Sequence, residues 1–367
     1  MGNRQSPLET LGLKSPHSNL TFWKGRRIWL SGHTGFKGAW LAWWLRRLGA
    51  EVCGCGLLPT TKPSLFELLG LKDHLDHQIL DIRSAQAVFK SMHEFQPEIV
   101  FHLAAQALVR SGYEDPLRTL ATNVMGTANV LEAIRQNQSV RVVVAVTTDK
   151  VYRNLESGRP FREEDPLGGQ DPYSASKAGA ETVITCYRES FLKENGVALA
   201  SARAGNVIGG GDWSKDRILP DAVRAWGRRE TLVVRNPSST RPWQHVLEPL
   251  AAYLYLAEVL FHNPSLAEDY NFGPPPDQNT KVQTVVAMAK EAFGGGEIRW
   301  GEVKAGPHEA KHLSLDNRKA SRVLGIRPVW SLQEAVNRTM SWYRKHQEGE
   351  KASTLCQEDL EAFLAVK

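Results

Sequence analysis

The sequence predicts an α/β protein in which a doubly wound parallel sheet is joined to a smaller, mixed lobe on its C-terminal side. The first observation is that short apolar strands alternate with helical stretches between residues 27 and 201. The second is that each strand is apolar on both faces, as in parallel sheets covered by helices on either side. The third is that the alternation stops after residue 205, which indicates a smaller lobe folded against the end of the sheet.

The predicted elements follow from the spacing of apolar residues. Strands are predicted at 27–30, 51–57, 78–80, 98–103, 140–146 and 197–201. Helices between them are predicted at 36–48, 84–94, 115–138 and 172–195. Shorter helices are predicted in the lobe at 218–228, 245–260, 281–293 and 331–346. In the first helix Trp40 and Trp44 recur at helical spacing and are interpreted as core, and Gly49 ends the helix.

The composition is that of an ordinary globular enzyme. The 367 residues are 42% hydrophobic and 23% charged, enough for one large domain or for a domain and a lobe. The net charge of +5 comes without a long basic run, so nucleic-acid binding is not indicated. The four cysteines have no His/Cys cluster around them and are interpreted as reduced thiols, with no metal site. Neither a signal-peptide core nor a membrane-spanning stretch is present, so we expect a cytoplasmic location.

A glycine-rich turn lies between the first strand and the first helix. Its residues are Gly32, His33, Thr34, Gly35, Phe36, Lys37 and Gly38. Glycines at such a point let the backbone approach a pyrophosphate, and the helix N-terminus presents N–H groups to its charge. The spacing differs from Gly-x-Gly-x-x-Gly, but its place in a βαβ unit predicts a Rossmann domain that binds a nicotinamide dinucleotide, over residues 23–205.

The acidic residue that usually follows the second strand, where it binds the ribose, is missing. The run Gly56-Leu57-Leu58-Pro59-Thr60-Thr61-Lys62 stands there instead, so this rule leaves NAD and NADP open, and Thr60, Thr61 and Lys62 would suit a phosphate. Asp81, at the end of the third strand, is a candidate to hold the adenine, or equally a cap of the helix at 84–94.

Tyr173 and Lys177 are the candidate catalytic pair. Asp171 and Pro172 are a favourable cap and first residue for their helix, which places the two side chains one turn apart on one face. An ammonium ion beside the phenol would stabilise the phenolate. A tyrosine acting as a base near neutral pH needs its pKa lowered by roughly three units, or about 4 kcal/mol. Thr148, at the end of the strand at 140–146, is the candidate that orients a substrate hydroxyl.

The order of motifs resembles that of the extended short-chain dehydrogenase/reductase family over residues 25–345. These motifs are the glycine turn, His102-Leu103-Ala104-Ala105, Asn123-Val124-x-Gly126-Thr127, Thr148-Asp149 and Tyr173-x-x-x-Lys177. Within that family, 203–213 and 241–246 are similar to the sugar-nucleotide 4,6-dehydratases. The triplet Thr148-Asp149-Lys150 and the glycine turn are most similar to the dehydratases of this group that act on CDP-glucose.

The resemblance implies NAD as the cofactor, recycled within one redox-neutral cycle. Tyr173 would remove the proton of the sugar 4-hydroxyl as C4 is oxidised, water would leave from C5 and C6, and C6 would then be reduced. The substrate would be CDP-D-glucose and the product CDP-4-dehydro-6-deoxy-D-glucose, for deoxysugar synthesis. The implied cofactor-binding residues are Gly32, His33, Thr34, Gly35, Phe36, Lys37, Asp81, Ile82, Leu103, Ala104, Ala105, Asn123, Tyr173 and Lys177.

By the same analogy Asp149 donates a proton to the departing 6-hydroxyl, and Lys150 stands where the family usually has a carboxylate base. Lys150 is open to two interpretations, a neutral base or a cation that stabilises the enolate. Consecutive strand residues point to opposite faces, so Asp149 and Lys150 share one pocket only if the strand has already turned.

The lobe at 206–350 is predicted to bind the sugar nucleotide, followed by a C-terminal tail at 351–367 and preceded by a loose N-terminal extension at 1–22. The predicted substrate-binding residues are Gln106, Asn206, Arg217, Arg235 and Arg241, the arginines because their planar fork fits phosphate oxygens. Trp213 and Trp243 are interpreted first as core and second as contacts of the base or sugar.

Two other functions remain open from the sequence. A nucleotide-sugar epimerase, or a dehydratase of another nucleotide sugar, would keep the fold and Tyr173 with Lys177. A non-catalytic protein that senses a dinucleotide would not need the set Thr148, Tyr173 and Lys177. The family resemblance also implies a homodimer or a dimer of dimers, paired through the helices at 115–138 and 172–195.

Overall fold

The computed structural model describes residues 21–301 and 310–366, and these contain all six predicted strands together with seven that were not predicted. The strands are β1 (Arg27–Ser31), β2 (Glu51–Gly56), β3 (Asp76–Ile79), β4 (Ile99–His102), β5 (Val142–Val146), β6 (Ala198–Ala204), β7 (Val207–Ile208), β8 (Leu232–Val234), β9 (Thr240–Arg241), β10 (Gln244–His245), β11 (Asp269–Phe272), β12 (Thr280–Lys281) and β13 (Ile298–Trp300).

The helices lie between these strands and after them. They are α1 (Phe36–Arg47), α2 (Leu65–Leu68), α3 (Ala85–Phe95), α4 (Val109–Glu114), α5 (Pro116–Leu120), α6 (Gly126–Arg135), α7 (Pro172–Tyr187), α8 (Ile218–Gly227), α9 (Leu247–His262), α10 (Val282–Phe293), α11 (Arg318–Leu324), α12 (Leu332–Gln347) and α13 (Ala352–Leu364). In the described part of the chain, none of these helices is both long and apolar enough to cross a bilayer.

A wholly parallel sheet of seven strands forms the centre of the molecule, in the order β3-β2-β1-β4-β5-β6-β11. The order reverses between β1 and β4, which makes that point the crevice where ligands bind in doubly wound sheets. All five residues of β5 and all seven of β6 are buried, because helices cover both faces. The predicted α/β fold with a doubly wound parallel sheet is confirmed.

The helix predicted at 115–138 is built from three segments. Helix α5 and helix α6 are joined by a wide π turn over Ala121–Met125, and a second π turn, Arg188–Leu192, extends α7 to the predicted end near residue 195. The first π turn contains Asn123, whose buried side chain lies between the loop after β4 and α7.

The two halves of the chain share one core. Strand β11 comes from the predicted lobe, yet it pairs in parallel with β6 as the seventh strand. Helix α9, also from the lobe, is buried along nearly its whole length and packs on β5 and β6. The indole of Trp40 on α1 donates to the carbonyl oxygen of Gly210 (2.9 Å). The sheet and the lobe are therefore not separate units.

Both ends of the described chain pack against the core. The segment predicted as a C-terminal tail, 351–367, contains α13, which packs into the core through five buried apolar side chains. These are Ala352, Leu355, Cys356, Leu360 and Phe363. Most of the predicted N-terminal extension lies outside the described residues, but Phe22 at its end is buried, with its ring centroid 5.3 Å from that of Phe261.

Candidate active site

The turn between β1 and α1 leaves no room for side chains at two of its glycines. Gly32 has a φ of +79°, and a Cβ there would lie 2.8 Å from the backbone nitrogen of Ala104. A Cβ on Gly38 would lie 2.0 Å from the carbonyl oxygen of Gly32. Helix α1 begins after Gly35, which provides no side-chain cap, so the first turn of α1 can present backbone N–H groups to an anion.

The two side chains between Gly32 and Gly35 anchor this turn to the sheet. His33 is fully buried, and its Nε2 lies 2.7 Å from Nδ1 of His77 on β3. Burial lowers the pKa of His33 to about 4, so the imidazole is neutral near pH 7. The hydroxyl of Thr34 donates to the carbonyl oxygen of Leu57 (2.8 Å). What His33 offers to a bound dinucleotide is therefore its backbone.

Ser31 joins the carboxyl ends of β1 and β4. Its hydroxyl oxygen accepts from the backbone N–H groups of Leu103 and Ala104, each at 3.1 Å, and lies 2.7 Å from Nδ1 of His102. The loop Leu103–Ala104–Ala105 is thereby held next to Gly32. The floor of the crevice is thus built from backbone atoms of two neighbouring strand ends.

Asn123 and Gln106 hold the loop after β4 through bonds within the protein. Asn123 Oδ1 accepts from the N–H of Gln106 (2.8 Å), and Nδ2 donates to Ser176 Oγ on α7 (2.8 Å). The side chain of Gln106 donates to Thr119 Oγ1 (2.9 Å) and accepts from the N–H of Leu108 (2.6 Å). Both ends of the Gln106 amide are engaged here, so the predicted contact with substrate would require these bonds to break.

Asp81 does not cap the following helix, so that interpretation was wrong. Ser84 caps α3 by accepting from the N–H of Ala87 (3.3 Å). Asp81 accepts instead from the N–H of Arg83 (2.9 Å) and from its guanidinium, which lowers the pKa of the carboxyl. Ile82 is buried, against Gly126 at the start of α6.

Asp149 and Lys150 lie on a turn and not on a strand. The rule that consecutive strand residues point to opposite faces therefore does not apply to them. Strand β5 ends at Val146, and Thr148 begins a 3-10 turn over Asp149–Val151. Asp149 Oδ1 accepts from Thr148 Oγ1 (3.0 Å) and from Lys150 Nζ (3.2 Å). The carboxylate is 1% exposed, and its Oδ2 has no hydrogen-bond partner among the described residues.

Helix α7 begins as the sequence predicts, with Asp171 accepting from the N–H of Ser174 (3.0 Å) and Pro172 in the first turn. Tyr173 and Lys177 are both buried. Lys177 Nζ donates to the carbonyl oxygen of Val146 at the end of β5 (2.9 Å). The ammonium group is thereby held at the strand end that leads to Thr148.

Burial is the dominant influence on both members of the pair. It raises the pKa of the Tyr173 phenol, while a hydrogen bond with Thr148 and the charge of Arg217 lower it. Burial lowers the pKa of Lys177 to about 8, against the opposing charge of Glu181. Without a ligand the phenol is therefore protonated at neutral pH, and additional positive charge is needed to make it a base.

Lys37 and Arg217 bring two further cations to the same crevice. Burial, together with the charges of Arg217 and Lys177, lowers the pKa of Lys37 to about 8. Arg217 precedes α8 and donates to the carbonyl oxygen of Ala107 (3.4 Å). Arg235 is held close by through Asp216, whose Oδ1 lies 3.1 Å from Arg235 Nη2. Asp216 is the residue before Arg217, so Arg235 is bound to the loop that carries Arg217.

Asn206 and Arg241 occupy the base of the lobe. Asn206 Oδ1 is buried and, within 21–301 and 310–366, has no hydrogen-bond partner. Arg241 is 7% exposed and donates to the carbonyl oxygens of Thr240 (2.9 Å) and Lys311 (3.3 Å).

The interpretation of the two tryptophans as core agrees with their contacts. The ring of Trp213 packs edge-on against Trp342 and Tyr343 on α12. The buried Trp243 donates from its indole nitrogen to the carbonyl oxygen of Thr280 (3.2 Å).

Sequence reasoning missed Glu181, Arg203 and His77. Glu181 and Arg203 form a buried ion pair at 2.7 Å behind the site, and His77 supports the glycine turn. Glu181 was detectable, because it follows Lys177 by four residues and so continues the stripe of Tyr173 and Lys177. Arg203 and His77 contact residues that are distant in the sequence, so no local pattern could predict their roles. In the described ranges, no group of three or more His, Cys, Asp or Glu residues is arranged to hold a metal ion.

Comparison with known proteins identifies the family. The family described as GDP-mannose 4,6 dehydratase matches residues 30–339. The chain belongs to this dehydratase family. Among its curated relatives, the CDP-glucose 4,6-dehydratase of Salmonella typhimurium is 46% identical over 338 residues, which cover 90% of this chain and 93% of that protein.

Solved structures of related proteins share the fold of this dehydratase-family chain. The UDP-glucose 4-epimerase of Thermus thermophilus, in complex with NAD, is 27% identical with a TM-score of 0.74, covering 87% of this chain and 99% of that one. A dTDP-glucose 4,6-dehydratase from Streptomyces venezuelae is 24% identical with a TM-score of 0.75, covering 88% of this chain and 98% of that one. The second likeness concerns the fold alone.

Proposed function

We propose that this chain dehydrates CDP-D-glucose to CDP-4-dehydro-6-deoxy-D-glucose. The observation that carries the proposal is the 46% identity to a CDP-glucose 4,6-dehydratase along nearly the whole length of both chains. It is supported by the cluster of Thr148, Asp149, Lys150, Tyr173 and Lys177 at the carboxyl ends of the central strands, where doubly wound sheets bind their ligands.

The turn between β1 and α1 fits NAD as the cofactor. A Cβ at Gly32 or Gly38 would fill the space beside the turn, so both positions suit close approach of a pyrophosphate to the backbone. Gly32 to Lys37, the loop Leu103–Ala104–Ala105, Asn123, Tyr173 and Lys177 would hold the group, with Asp81 and Ile82 towards its adenine. When bound, NAD supplies a reversible two-electron acceptor and a positive charge near the phenol.

Tyr173 takes the proton of the sugar 4-hydroxyl on its phenolic oxygen, and Thr148 orients that hydroxyl. The buried phenol needs cationic neighbours for this role, because burial raises its pKa. Lys177 stays protonated beside it and stabilises the phenolate. General base catalysis of this kind contributes about 10²- to 10⁴-fold.

Asp149 gives a proton to the departing 6-hydroxyl from Oδ2, since Oδ1 is already engaged by Thr148 and Lys150. Gly205 lies beside this oxygen, and a Cβ there would lie 2.4 Å from Pro242 Cγ and 3.3 Å from Asp149 Oδ2, so a residue without a side chain is required at this point. Lys150 forms an ion pair with Asp149. In the acid step Asp149 is protonated and the ion pair is lost, so neutral Lys150 is the group placed to accept the C5 proton. The role of a cation that stabilises the enolate is the alternative, and it needs another base for that proton.

The diphosphate of the substrate is assigned to Asn206, Arg217, Arg235 and Arg241, with Gln106 fixing the loop beneath it. Residues 23–205 would then supply most of the dinucleotide site and 206–350 most of the sugar-nucleotide site. Arg235 is held by Asp216, the residue before Arg217, and the planar forks of both arginines suit phosphate oxygens.

We also propose that two copies pair through α5, the π turn that follows it, and α7, as a homodimer or as half of a dimer of dimers. Large apolar side chains on these elements are exposed. They are Leu117 (79%), Met125 (57%), Leu120 (40%) and, in the π turn after α7, Phe191 (40%). A second copy would bury them.

The test is incubation of the purified protein with CDP-glucose, followed by alkali and measurement of the absorbance of the 4-keto sugar. We expect a signal with CDP-glucose and little with UDP-glucose, dTDP-glucose or GDP-mannose. A signal with one of the other nucleotides would overturn the substrate. Formation of a 4-epimer without the 4-keto sugar would identify an epimerase, and no change in any sugar nucleotide would favour a non-catalytic protein.

A further inference from the structure

Glu181 is a buried carboxylate behind the reaction site that the proposed mechanism does not use. It lies on α7, four residues after Lys177 and eight after Tyr173, so the three side chains form one stripe along the helix. Its side chain is 0% exposed. A buried charge of this kind is costly unless it is paired and hydrogen-bonded.

The carboxylate binds the ends of two neighbouring strands. Oε1 accepts a short hydrogen bond from the hydroxyl of Thr147, which lies between Val146 and Thr148 after β5. Oε2 accepts from Ser201 Oγ (3.0 Å) and from Arg203 Nη2 (2.7 Å), both on β6. Glu181 thus fixes the middle of α7 to the strand end that carries Thr148 and accepts the bond from Lys177.

Arg203 is shared between two carboxylates. Its Nη2 also lies 3.1 Å from Asp269 Oδ2, and Asp269 is in turn paired with Arg188 (2.7 Å). Glu181, Asp269, Arg203 and Arg188 thus form a network of two carboxylates and two guanidinium groups. Arg203 contacts only Oε2 of Glu181, while Oε1 is bound by the neutral hydroxyl of Thr147.

Charged and titratable groups reach Lys177 from several elements. The negative charge of Glu181 on α7 raises the pKa of Lys177 and so stabilises its ammonium form. Lys37 on α1 is a second cation, and Asp149 after β5 lies near that cation. His102 at the end of β4 is neutral, because burial lowers its pKa to about 3. Glu181 is therefore the carboxylate placed to offset both the burial of Lys177 and the charge of Lys37.

We propose that Glu181 is a positioning residue of the reaction site, whose carboxylate fixes α7 on the ends of β5 and β6 and keeps Lys177 an ammonium ion. The role deepens the proposed function, since that mechanism requires Lys177 to be charged beside Tyr173. A merely structural carboxylate would affect stability but would leave the protonation of Lys177 unchanged.

The test measures Lys177 directly, without any substrate. The full-length protein is labelled with lysine carrying ¹³C at Cε, the Lys177 signal is assigned by its loss in Lys177→Arg, and its chemical shift is followed with pH. In Glu181→Gln, the midpoint should fall by roughly one pH unit, or tenfold in the acid dissociation constant. Glu181→Asp keeps the charge but shortens the side chain and should give a smaller fall.

Asp269→Asn is the matched control, because it removes the other carboxylate of Arg203 and should leave the Lys177 midpoint in place. An unchanged midpoint in Glu181→Gln would overturn the proposal, as would an equal fall in Asp269→Asn. If Glu181→Gln does not fold, Glu181→Asp decides in the same way, since an unchanged midpoint there would overturn it.

Activity supplies a second readout that separates the two proposals. With CDP-glucose as substrate, the alkaline limb of the pH profile of kcat/KM should move to lower pH in Glu181→Gln and stay in place in Asp269→Asn. A wild-type protein that does not turn over CDP-glucose would contradict the proposed function. The Lys177 titration needs no substrate, so it would still test the role of Glu181 in that case.

Discussion

Two influences act in opposite directions on the proton of Tyr173. Burial raises the pKa of the phenol, and Thr148 and Arg217 lower it. The phenol therefore stays protonated and cannot accept a proton until a cationic group is bound next to it. This makes Tyr173 the residue whose single oxygen atom carries the proposed chemistry.

Replacement of Tyr173 by phenylalanine should lower kcat about 10²- to 10⁴-fold, because the proposed general base is removed. The midpoint of thermal unfolding should change little, since the ring is kept. Tyr187→Phe is the control on the same helix, as its hydroxyl contacts Glu132 rather than the crevice (3.3 Å). Full activity in Tyr173→Phe would contradict the mechanism.

His102 makes the stability of the protein depend on pH. Ser31 accepts from two backbone N–H groups and so donates its own proton to His102 Nδ1, while Thr127 donates to Asn123 and so accepts from Nε2. The neutral ring satisfies both partners. Burial lowers its pKa to about 3, whereas the unfolded chain has an ordinary histidine pKa of about 6.5.

Because the unfolded state binds the proton more readily, His102 contributes stability that is fully present above about pH 6.5 and is lost as the pH falls towards 3. The difference in unfolding free energy between the wild type and His102→Gln should shrink by about 2 kcal/mol from pH 7 to pH 5. Urea unfolding at both pH values measures it. The exposed His93→Gln should show no such change, and a constant difference for His102→Gln would contradict the argument.

At the scale of elements, two glycines of the turn between β1 and α1 have different roles, Gly38 in folding and in binding, and Gly35 in binding alone. A Cβ at Gly38 collides with the carbonyl of Gly32, whereas one at Gly35 comes no closer to the protein than 3.4 Å. Gly38→Ala should therefore lower the stability by about 1–3 kcal/mol and weaken NAD binding. Gly35→Ala should keep the thermal midpoint and lose only affinity, as measured by titration calorimetry. Equal thermal midpoints for the two variants would contradict this account.

The sequence predicted the elements whose apolar residues are contiguous or regularly spaced. Strand β11 was missed because two of its four residues are polar. Asn271 is buried through bonds to Tyr152 (2.6 Å) and Phe161 (3.0 Å), and the half-buried Asp269 is paired with Arg188 and Arg203. Only the folded chain supplies these partners. Helix α13 was not predicted, although Leu355, Cys356, Leu360 and Phe363 repeat at helical spacing, because the segment at 351–367 was described only as a C-terminal tail.

The same distinction applies to the site. Tyr173 and Lys177 could be paired from sequence because one helix places them both. Spacing along the chain does not show which groups meet in the folded protein. It therefore did not predict the bond from Lys177 to Val146, the internal bonds of Gln106 or the capping of α3 by Ser84. Local periodicity therefore predicted which residues lie in the crevice better than it predicted what each one contacts.

At the scale of the whole molecule, the exposed apolar side chains on α5 and in the π turns after α5 and α7 predict the assembly. Leu117→Glu combined with Met125→Glu should convert the proposed dimer to a monomer, because two charges would be buried in the interface. Analytical ultracentrifugation measures the change. Leu155→Glu, at a side chain that is 71% exposed on a loop, is the control and should not alter the mass. A wild-type monomer would contradict the pairing.

The late arrival of β11 and α9 has a consequence for synthesis on the ribosome. When residue 205 has just emerged, the nascent chain already carries the glycine turn and the helix of Tyr173, yet the outer edge of β6 is unpaired and the faces of β5 and β6 beneath α9 are bare. Such an edge invites pairing with other chains. A gene cut after that codon should therefore yield inclusion bodies and not a small dinucleotide-binding protein.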